Sequence, residues 1–433
     1  MEAHAELIHR GCELATPAWV DNHWSLILWK LAGLVRAYPQ ELQTRWCWSH
    51  VVEQLLYRYE REINRGQRPA LKKILEQDCG STRAMVLTVC EINYSTRPKA
   101  DDPDTMEEHP DFVLTDGWYK IRASADDCLG RATKLAKIRV GTKIAMSGIR
   151  LDAAKEGQEV LKAFEDTQLK LTGNSTCIAR WYTKLGFAPT PFVPTIASLS
   201  PDGGKVPMLH ITVTKMFPIG YIDAFEEGKD RPIPRCQKEE DAAMDEWMKM
   251  WEREQANECK EFEDRLHHLE ALAERLDTAC GYKRVSRDLL PHWVDDVLDE
   301  FEDAPDVKSL IKLRNREELS CLATAAHAKL DRERQNAQKT IEVAMESRVP
   351  PRQVRSFQVA CIEDVRTWRR TPMRTGQLTV WDIAGMGDDK VQPGRNYLVT
   401  NVMPTQKGSW RKPDVESEIF LQTTRGSSWM PVP

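Results

Sequence analysis

The sequence predicts an α+β protein with several domains: a small helical domain and two small β-barrels, the second of which is interrupted by a long pair of helices. Apolar residues recur at three- and four-residue steps in residues 19–74 and again in residues 237–347. Short β-branched runs punctuated by glycine and proline fill the rest of the chain. At 433 residues, with 41% apolar and 29% charged side chains, the chain has room for roughly two to four domains.

The first domain, residues 1–80, is predicted to be helical. Trp24, Ile27 and Leu31 follow one another at helical spacing. A second apolar series resumes after Pro39, a residue that breaks helices. Six cations near the end of the domain are interpreted as a solvated helix face: Arg58, Arg61, Arg65, Arg68, Lys72 and Lys73.

Residues 81–225 are predicted to form the first barrel, with about five short strands. The strands expected here include Ala84–Ile92, Phe112–Ala123, Gly141–Leu151 and Pro207–Val213. The pair Asp116-Gly117 predicts a hairpin turn inside the second of these runs. A five-stranded Greek-key barrel, the OB-fold, fits this count and spacing, and a small SH3-like barrel fits nearly as well.

Residues 226–433 are predicted to form a second OB-fold, interrupted at residues 237–347 by an antiparallel coiled coil. One apolar series runs from Trp247 to Leu276 and a second returns from Leu319 to Met345. An arm of about 40 residues would reach roughly 60 Å. A small helical bundle is expected at the tip, at about residues 285–316. The strands expected after the helices are Phe357–Ile362, Gln377–Ile383, Asn396–Val402 and Glu418–Thr424.

The charge of the chain is unevenly distributed. The net charge is −5, which argues against a protein that coats nucleic acid with its whole surface. Cys236–Leu276 carries 13 acidic and 6 basic residues, whereas the chain from Arg348 onward carries 13 basic and 8 acidic ones. The basic end is therefore the candidate nucleic-acid surface. Eleven scattered cysteines favour a reducing cytosolic or nuclear compartment, and no secretion signal or membrane span is expected.

The sequence indicates binding rather than catalysis. We find no catalytic constellation, cofactor motif or metal-ligand spacing, so the protein is not expected to be an enzyme. A protein that binds single-stranded DNA needs cations for the phosphates and aromatic rings for the bases. Such residues cluster in the second barrel. Trp381 alternates with apolar residues and faces either the core or a ligand, whereas Trp410 is the preferred stacking residue. The candidate DNA-binding residues are Arg366, Arg369, Arg370, Trp381, Arg395, Tyr397, Lys407, Trp410, Arg411 and Lys412.

Several longer motifs carry a family resemblance. They are ARWYTKLGF at Ala179–Phe187, LTDGWY at Leu114–Tyr119, WVDNH at Trp19–His23, LWKLA at Leu28–Ala32 and YRYE at Tyr57–Glu60 followed by KKI at Lys72–Ile74. The chain thereby resembles the DNA-binding region of the breast cancer type 2 susceptibility protein family, whose members are recombination mediators. The resemblance covers nearly the whole chain in order.

This resemblance implies a nuclear module that binds single-stranded DNA and helps to load a RecA-like recombinase during double-strand break repair. It also implies a small acidic partner related to a proteasome-lid subunit. The recombinase is expected to bind regions outside this chain, and duplex DNA is a candidate ligand of the tip. Because a third OB-fold of the longer family pattern is missing, the chain is expected to be a fragment or a compact relative. The partner-binding residues implied are Trp24, Trp29, Lys30, Trp118, Arg180 and Trp181.

Two other interpretations remain open at this point. The chain could serve as a protein-interaction scaffold that holds the acidic partner and binds little DNA of its own. It could also coat single strands in the manner of the large subunit of replication protein A, although a long helical insertion argues against this.

Overall fold

The chain divides into two units, one of which is formed by two separate stretches of sequence. The computed structural model describes residues 2–99, 102–153, 157–224, 232–286, 290–304, 306–365, 374–383, 391–410 and 418–432. One unit runs to Ile219 and resumes at Ser356, and the other comprises Gly220–Arg355. No helix in the described ranges combines the length and the apolar character that crossing a bilayer requires.

The helical domain opens the first unit. Its helices are α1 (Glu2–His9), α2 (Pro17–Ala37), α3 (Leu42–Arg45), α4 (Trp48–Tyr59) and α5 (Ala70–Leu75). The Thr16 hydroxyl accepts the N–H of Trp19 at 3.2 Å and caps α2. Helix α2 ends two residues before Pro39, as the sequence predicts. Ile27, Leu31 and Leu55 lie in the core to which α1, α2 and α4 contribute.

The first barrel follows directly. Its strands are β1 (Met85–Lys99), β2 (Asp102–Thr115), β3 (Lys120–Ala125), β4 (Lys143–Met146), β5 (Arg150–Ala153), β6 (Thr167–Leu171), β7 (Thr176–Ile178) and β8 (Gly186–Phe187), with helix α6 (Asp127–Lys134) after β3. They hydrogen-bond in the order β5-β6-β3-β2-β1-β4-β7, with β8 beside β1. The hairpin at Asp116-Gly117 is confirmed, since β2 and β3 pair across it and Gly117 has a φ of 89°.

After β9 (Val206–Met216) the chain enters the second unit. This unit holds β10 (Gly220–Asp223), β11 (Arg235–Cys236), α7 (Gln237–Cys280), α8 (Trp293–Asp303), α9 (Val307–Lys312) and α10 (Arg316–Arg348). The long helices α7 and α10 run in opposite directions: Glu258 of α7 pairs with Arg348 at the end of α10, whereas Asp277, further along α7, pairs with His327, earlier in α10.

The core of this helical unit lies near its far end. Leu276 from α7, Phe301 from α8 and Leu322 from α10 are each at most 1% exposed and belong to one apolar cluster. Gly281 ends α7 in the left-handed region at φ 70°, which allows the chain to turn away. The two short helices α8 and α9 therefore pack on the end of the long pair.

The second barrel is a closed ring. Its remaining strands are β12 (Val354–Asp364), β13 (Gly376–Trp381), β14 (Asn396–Pro404), β15 (Ile419–Gln422) and β16 (Trp429–Val432). Strand β9 pairs with both β12 and β14, β12 pairs with β13, and β15 joins β13 in parallel and β14 in antiparallel fashion. This ring of β9, β12, β13, β15 and β14 is the Greek-key topology of an OB-fold.

The position of β9 corrects the expected boundary between the barrels. We expected Pro207–Val213 in a first barrel of residues 81–225, and a second barrel that starts at residue 226. Instead Leu209, Ile211 and Val213 are fully buried in the second core. The helical unit thus enters the chain between the first and second strands of that barrel. Sequence alternation alone could not assign β9, because its period is the same in either barrel.

Asn174 ties the first barrel to the segment that leads into the second. Its amide nitrogen donates to the carbonyl oxygens of Ser200 and Gly204 at 2.9 and 2.8 Å, and its oxygen accepts the N–H of Ser200 at 2.8 Å. Gly203 passes so close that a Cβ there would lie 2.7 Å from the Asn174 oxygen. The NST and DGG motifs are therefore held together by hydrogen bonds and close packing, and this joint fixes the end of the first barrel to the segment before β9.

Candidate functional site

An aromatic pair lies on the outside of the second barrel. Phe357 of β12 and Trp381 of β13 are directly opposite each other, with ring centroids 5.5 Å apart. Val380 and Leu378 point into the core, so Trp381 faces outward by strand alternation and is half-buried. Its indole N–H donates to Gln422 at 3.3 Å, which fixes the ring. The question that the sequence left open for Trp381 is resolved in favour of the outer face.

The structure corrects two of the expected stacking residues. Trp410 is only 7% exposed, packs in the second core and donates its indole N–H to the Thr405 carbonyl at 2.9 Å. The short helical turn Lys407–Ser409 folds the loop back and buries the ring. Tyr397 is 1% exposed, and its hydroxyl accepts the N–H of Gln392 at 2.8 Å. Neither ring is available to stack on a base.

The expected cations are only partly described. Arg395 and Lys407 are exposed and form no ion pair among the described residues. The other cations of the prediction lie outside the described residues: Arg366, Arg369, Arg370, Arg411 and Lys412. Sequence analysis missed two further groups beside β12. Lys215 holds its ammonium 4.6 Å from the ring centroid of Phe217, whose N–H donates to the Val359 carbonyl at 2.9 Å.

A groove opens between α2 and the first barrel. It has a volume of about 860 Å³, and three of the six expected partner-binding residues line it: Trp29, Lys30 and Trp181. Trp181 is 78% exposed and lies in the ARWYTKLGF loop between β7 and β8. The Lys143 ammonium donates to the Thr183 carbonyl at 2.6 Å and holds this loop against the barrel.

The groove is electropositive. Lys30, Arg36 and Lys143 contribute to its lining, and none of them forms an ion pair among the described residues. Burial lowers the pKa of Lys30, and the nearby cations Arg58 and Arg45 lower it further. The positive charges of Lys30, Arg36 and Lys143 are not balanced by ion pairs, so the groove would attract the carboxylate of an incoming ligand.

The other expected partner residues lie elsewhere. Trp24 is half-buried on α2 with its ring 5.3 Å from Trp48. Trp118 is half-buried at the turn after β2, where its carbonyl accepts the Asn22 amide at 2.8 Å. Arg180 is exposed next to Trp181 and donates to the Tyr182 hydroxyl at 2.5 Å.

A buried polar network joins the helical domain to the first barrel. The Glu62 carboxylate accepts the Trp19 indole N–H at 3.1 Å, the Tyr119 hydroxyl at 2.5 Å and the Lys72 ammonium at 2.8 Å. The His23 ring lies 3.4 Å from the same carboxylate. Burial alone would raise the pKa of Glu62, but its contacts with His23, Lys72 and Tyr119 lower it to about 2.

This network corrects the interpretation of the basic cluster as a solvated face for Arg58, and Lys72 is half-buried in the network, but the other three arginines of the cluster are exposed. Arg58 is 6% exposed, hydrogen-bonds His23 Nδ1 at 2.8 Å and lies 5.1 Å from the Trp118 ring centroid. Burial lowers the pKa of Arg58 to about 10 and that of His23 to about 4. Helical periodicity does not show that the first barrel covers Arg58.

Asp116 of the LTDGWY motif completes the junction. Its carboxylate accepts the backbone N–H of Leu71 at the start of α5, and also those of Trp118 and Tyr119 in its own turn, all at 2.9 to 3.0 Å. Because the carboxyl group is buried, desolvation raises its pKa. Among the described residues, no group of three or more His, Cys, Asp and Glu side chains is arranged to hold a metal ion.

A helical domain fixed to one OB-like barrel and followed in the chain by a second defines an α+β protein of the oligonucleotide- and oligosaccharide-binding class. Residues 11–66 match the family model described as BRCA2, helical, and residues 69–189 match that described as BRCA2, oligonucleotide/oligosaccharide-binding, domain 1. These matches, together with the two relatives below, support a BRCA2-family DNA-binding region.

Two plant proteins are similar over the whole chain. The chain is 26% identical to Protein BREAST CANCER SUSCEPTIBILITY 2 homolog A of Arabidopsis thaliana over 456 aligned residues, and 26% identical to homolog B over 452 residues. It spans 36% of the length of each relative.

Proposed function

We propose that this chain is the single-stranded DNA-binding module of a homologous-recombination mediator and that it has a binding role, not a catalytic one. The observation that carries the proposal is the Phe357–Trp381 pair on the outer face of β12 and β13. In OB-folds, the corresponding second and third strands form the ligand face. Two rings on that face offer stacking platforms for successive bases.

Cations around this face would hold the phosphates. Lys215, Arg395 and Lys407 are exposed among the described residues, and we assign the same role to Arg366, Arg369, Arg370, Arg411 and Lys412. Binding by counterion release and stacking is largely independent of base sequence. The module would therefore hold resected DNA of any sequence.

The test is a titration of the full chain with labelled oligothymidine, followed by fluorescence anisotropy. Affinity should fall steeply between about 50 and 200 mM salt. Trp381→Ala and Phe357→Ala should each weaken binding by about 1 to 3 kcal/mol. Trp181→Ala is the matched control, because it removes an exposed indole from the first barrel. Equal affinity for all four proteins would refute the assigned face.

The groove lined by Trp29, Lys30 and Trp181 supports a second site, for the small acidic partner of the proteasome-lid type. Its unpaired cations fit carboxylates, and its exposed indoles fit an apolar or aromatic anchor. Trp24, Trp118 and Arg180 would act beside the groove by positioning its walls. Trp181→Ala should weaken partner binding while leaving oligothymidine binding unchanged, the reverse of Trp381→Ala.

This groove also favours the alternative of a protein-interaction scaffold. If the chain binds the acidic partner tightly and has no measurable affinity for oligothymidine, the scaffold is the better description. A RecA-like recombinase would be recruited by regions outside this chain, in the nucleus.

We extend the proposal to the helical unit, which we interpret as a tower. This name means an antiparallel coiled coil formed by α7 and α10, with a helical tip. Duplex DNA remains a proposed ligand of the tip. Helix α8 carries six carboxylates and no cation, so a phosphate contact would have to use cations outside α8, such as Lys308, Lys312 or Arg314. Deletion of residues 285–316 should abolish duplex binding if this proposal holds, and undiminished binding would reject it.

A further inference from the structure

A second groove lies on the helical unit, at the end opposite α8 and α9. It has a volume of about 260 Å³ and is formed by α7, the end of α10 and the residues just after it. Its lining residues are Trp247, Trp251, Gln255, Glu342, Met345, Glu346, Val349 and Pro351. The sequence predicts Trp247 and Trp251 as seam residues of a coiled coil, but both are only half-buried.

The groove has an apolar floor and aromatic walls. Met345 and Val349 are buried at 5% and 9% exposure, and Trp247 donates its indole N–H to the Pro350 carbonyl at 3.4 Å. One turn before Trp251 on α7, Met248 is 47% exposed. The α7–α10 seam is thus open here, whereas the core of this unit begins further along, at about Leu266.

The rim of the groove is acidic and uncompensated. Glu342 and Glu346 are exposed, and neither forms an ion pair among the described residues. Two other carboxylates of the unit, by contrast, lie in ion pairs. Glu258 pairs with Arg348 at 2.5 Å, and Glu240 with Arg352 at 2.9 Å. Unpaired negative charge therefore lies beside the two indoles.

Aromatic faces next to carboxylates bind a cation that has an aliphatic stem. We propose that this groove binds a basic segment of a partner protein, with a lysine or arginine side chain packed on Trp247 and Trp251 and its charge facing Glu342 and Glu346. Nucleic acid is disfavoured, because the same carboxylates repel phosphates. The proposal is independent of the DNA face on the second barrel.

The test uses the full chain and a fluorescein-labelled peptide of alternating arginine and leucine, followed by anisotropy. Glu346→Lys and Trp251→Ala should each weaken binding by about tenfold or more. Glu263→Lys is the matched control, since it makes the same charge change at an exposed position on α7 outside the groove and should have an effect of less than about threefold. Trp251→Phe should retain part of the affinity. Oligothymidine binding should be the same in all variants.

A second probe separates specific recognition from general attraction. A peptide of alternating glutamate and leucine should not bind the parent chain but should gain affinity for Glu346→Lys. The exposed position of Glu346 means that this variant is not expected to unfold, which circular dichroism would verify. The proposal is overturned if Glu263→Lys reduces binding of the basic peptide as much as Glu346→Lys does, or if Trp251→Ala has no effect.

Discussion

Replacement of Glu62 by glutamine should loosen the junction between the helical domain and the first barrel. The carboxylate is 1% exposed and accepts from Trp19, Lys72 and Tyr119 at once. Glutamine keeps the shape but removes the charge and presents an NH2 group where an acceptor is required. At least one buried donor then loses its partner.

The magnitude follows from the pKa of the group. A carboxylate whose pKa falls from 4.5 to about 2 on folding stabilises the folded state by about 3 kcal/mol at neutral pH. An unsatisfied buried donor costs about 1 to 3 kcal/mol. Lys72 is 23% exposed and can turn to water, so its loss adds little. We expect Glu62→Gln to lower the free energy of junction opening by about 2 to 4 kcal/mol.

The same groups make the junction sensitive to acid. The folded pKa of Glu62 lies below its ordinary value of 4.5, so its contribution is complete above that pH and is lost as the pH falls toward about 2. Burial lowers the pKa of His23 from 6.5 to about 4. The unfolded chain therefore takes up a proton on His23 between pH 6.5 and about 4, where the folded chain does not. Stability should fall through this window as the pH is lowered.

Amide hydrogen exchange on peptides from α2 and from the β2–β3 turn measures this opening locally. In Glu62→Gln, exchange should accelerate by about 30-fold or more. Glu53→Gln, on an exposed side chain of α4, should leave the rates unchanged. Equal protection in the parent protein and Glu62→Gln would show that the network does not hold the domains together.

Three other substitutions probe the barrels. Asn174→Ala should lower the stability of the joint by about 2 to 4 kcal/mol in urea unfolding, because it removes three hydrogen bonds to Ser200 and Gly204. Gly117→Ala should lower stability by about 1 kcal/mol, because its φ is 89°. Trp410→Phe should destabilise the second barrel by about 1 to 2 kcal/mol through loss of its bond to Thr405, with oligothymidine affinity unchanged.

Each of these has an outcome that contradicts it. Unfolding of Asn174→Ala at the parent urea midpoint would mean that the joint is held by other contacts. If Gly117→Ala leaves the free energy of unfolding unchanged, the turn accepts a side chain at this position without strain. If Trp410→Phe loses oligothymidine affinity while keeping full stability, its indole touches the DNA and the core position is not its role.

The sequence predicts local features well and contacts between domains poorly. The Asp116-Gly117 hairpin and the break near Pro39 depend on backbone preferences of a few residues, and both are found. The burial of Arg58 depends on Trp118, 60 residues later, and no local pattern encodes it. The burial of Trp410 is hidden from sequence for the same reason: its position between Lys407 and Arg411 favours exposure, but the turn Lys407–Ser409 directs the ring into the core.

The aromatic pair of the candidate DNA face shows what limits prediction of a site. Phe357 and Trp381 each lie in a strand whose side chains point alternately to its two faces. This alternation does not say which face lies toward the core. Only the ring closure through β9 decides this, and β9 lies more than a hundred residues before β12. A site that requires two strands in register is therefore determined by topology and not by its own residues.

The geometry of the helical domain explains why a partner would matter to it. Its junction with the barrel depends on a charged, acid-sensitive network, while Trp29, Trp46, Trp48 and Tyr57 each leave at least 38% of their surface exposed. Apolar area that stays in water contributes nothing to stability. A ligand that fills the groove between α2 and the barrel contacts both sides of the junction. It would stabilise the junction in proportion to RT ln(1 + [L]/Kd), and would thereby replace polar contacts that fail at low pH with apolar burial that does not.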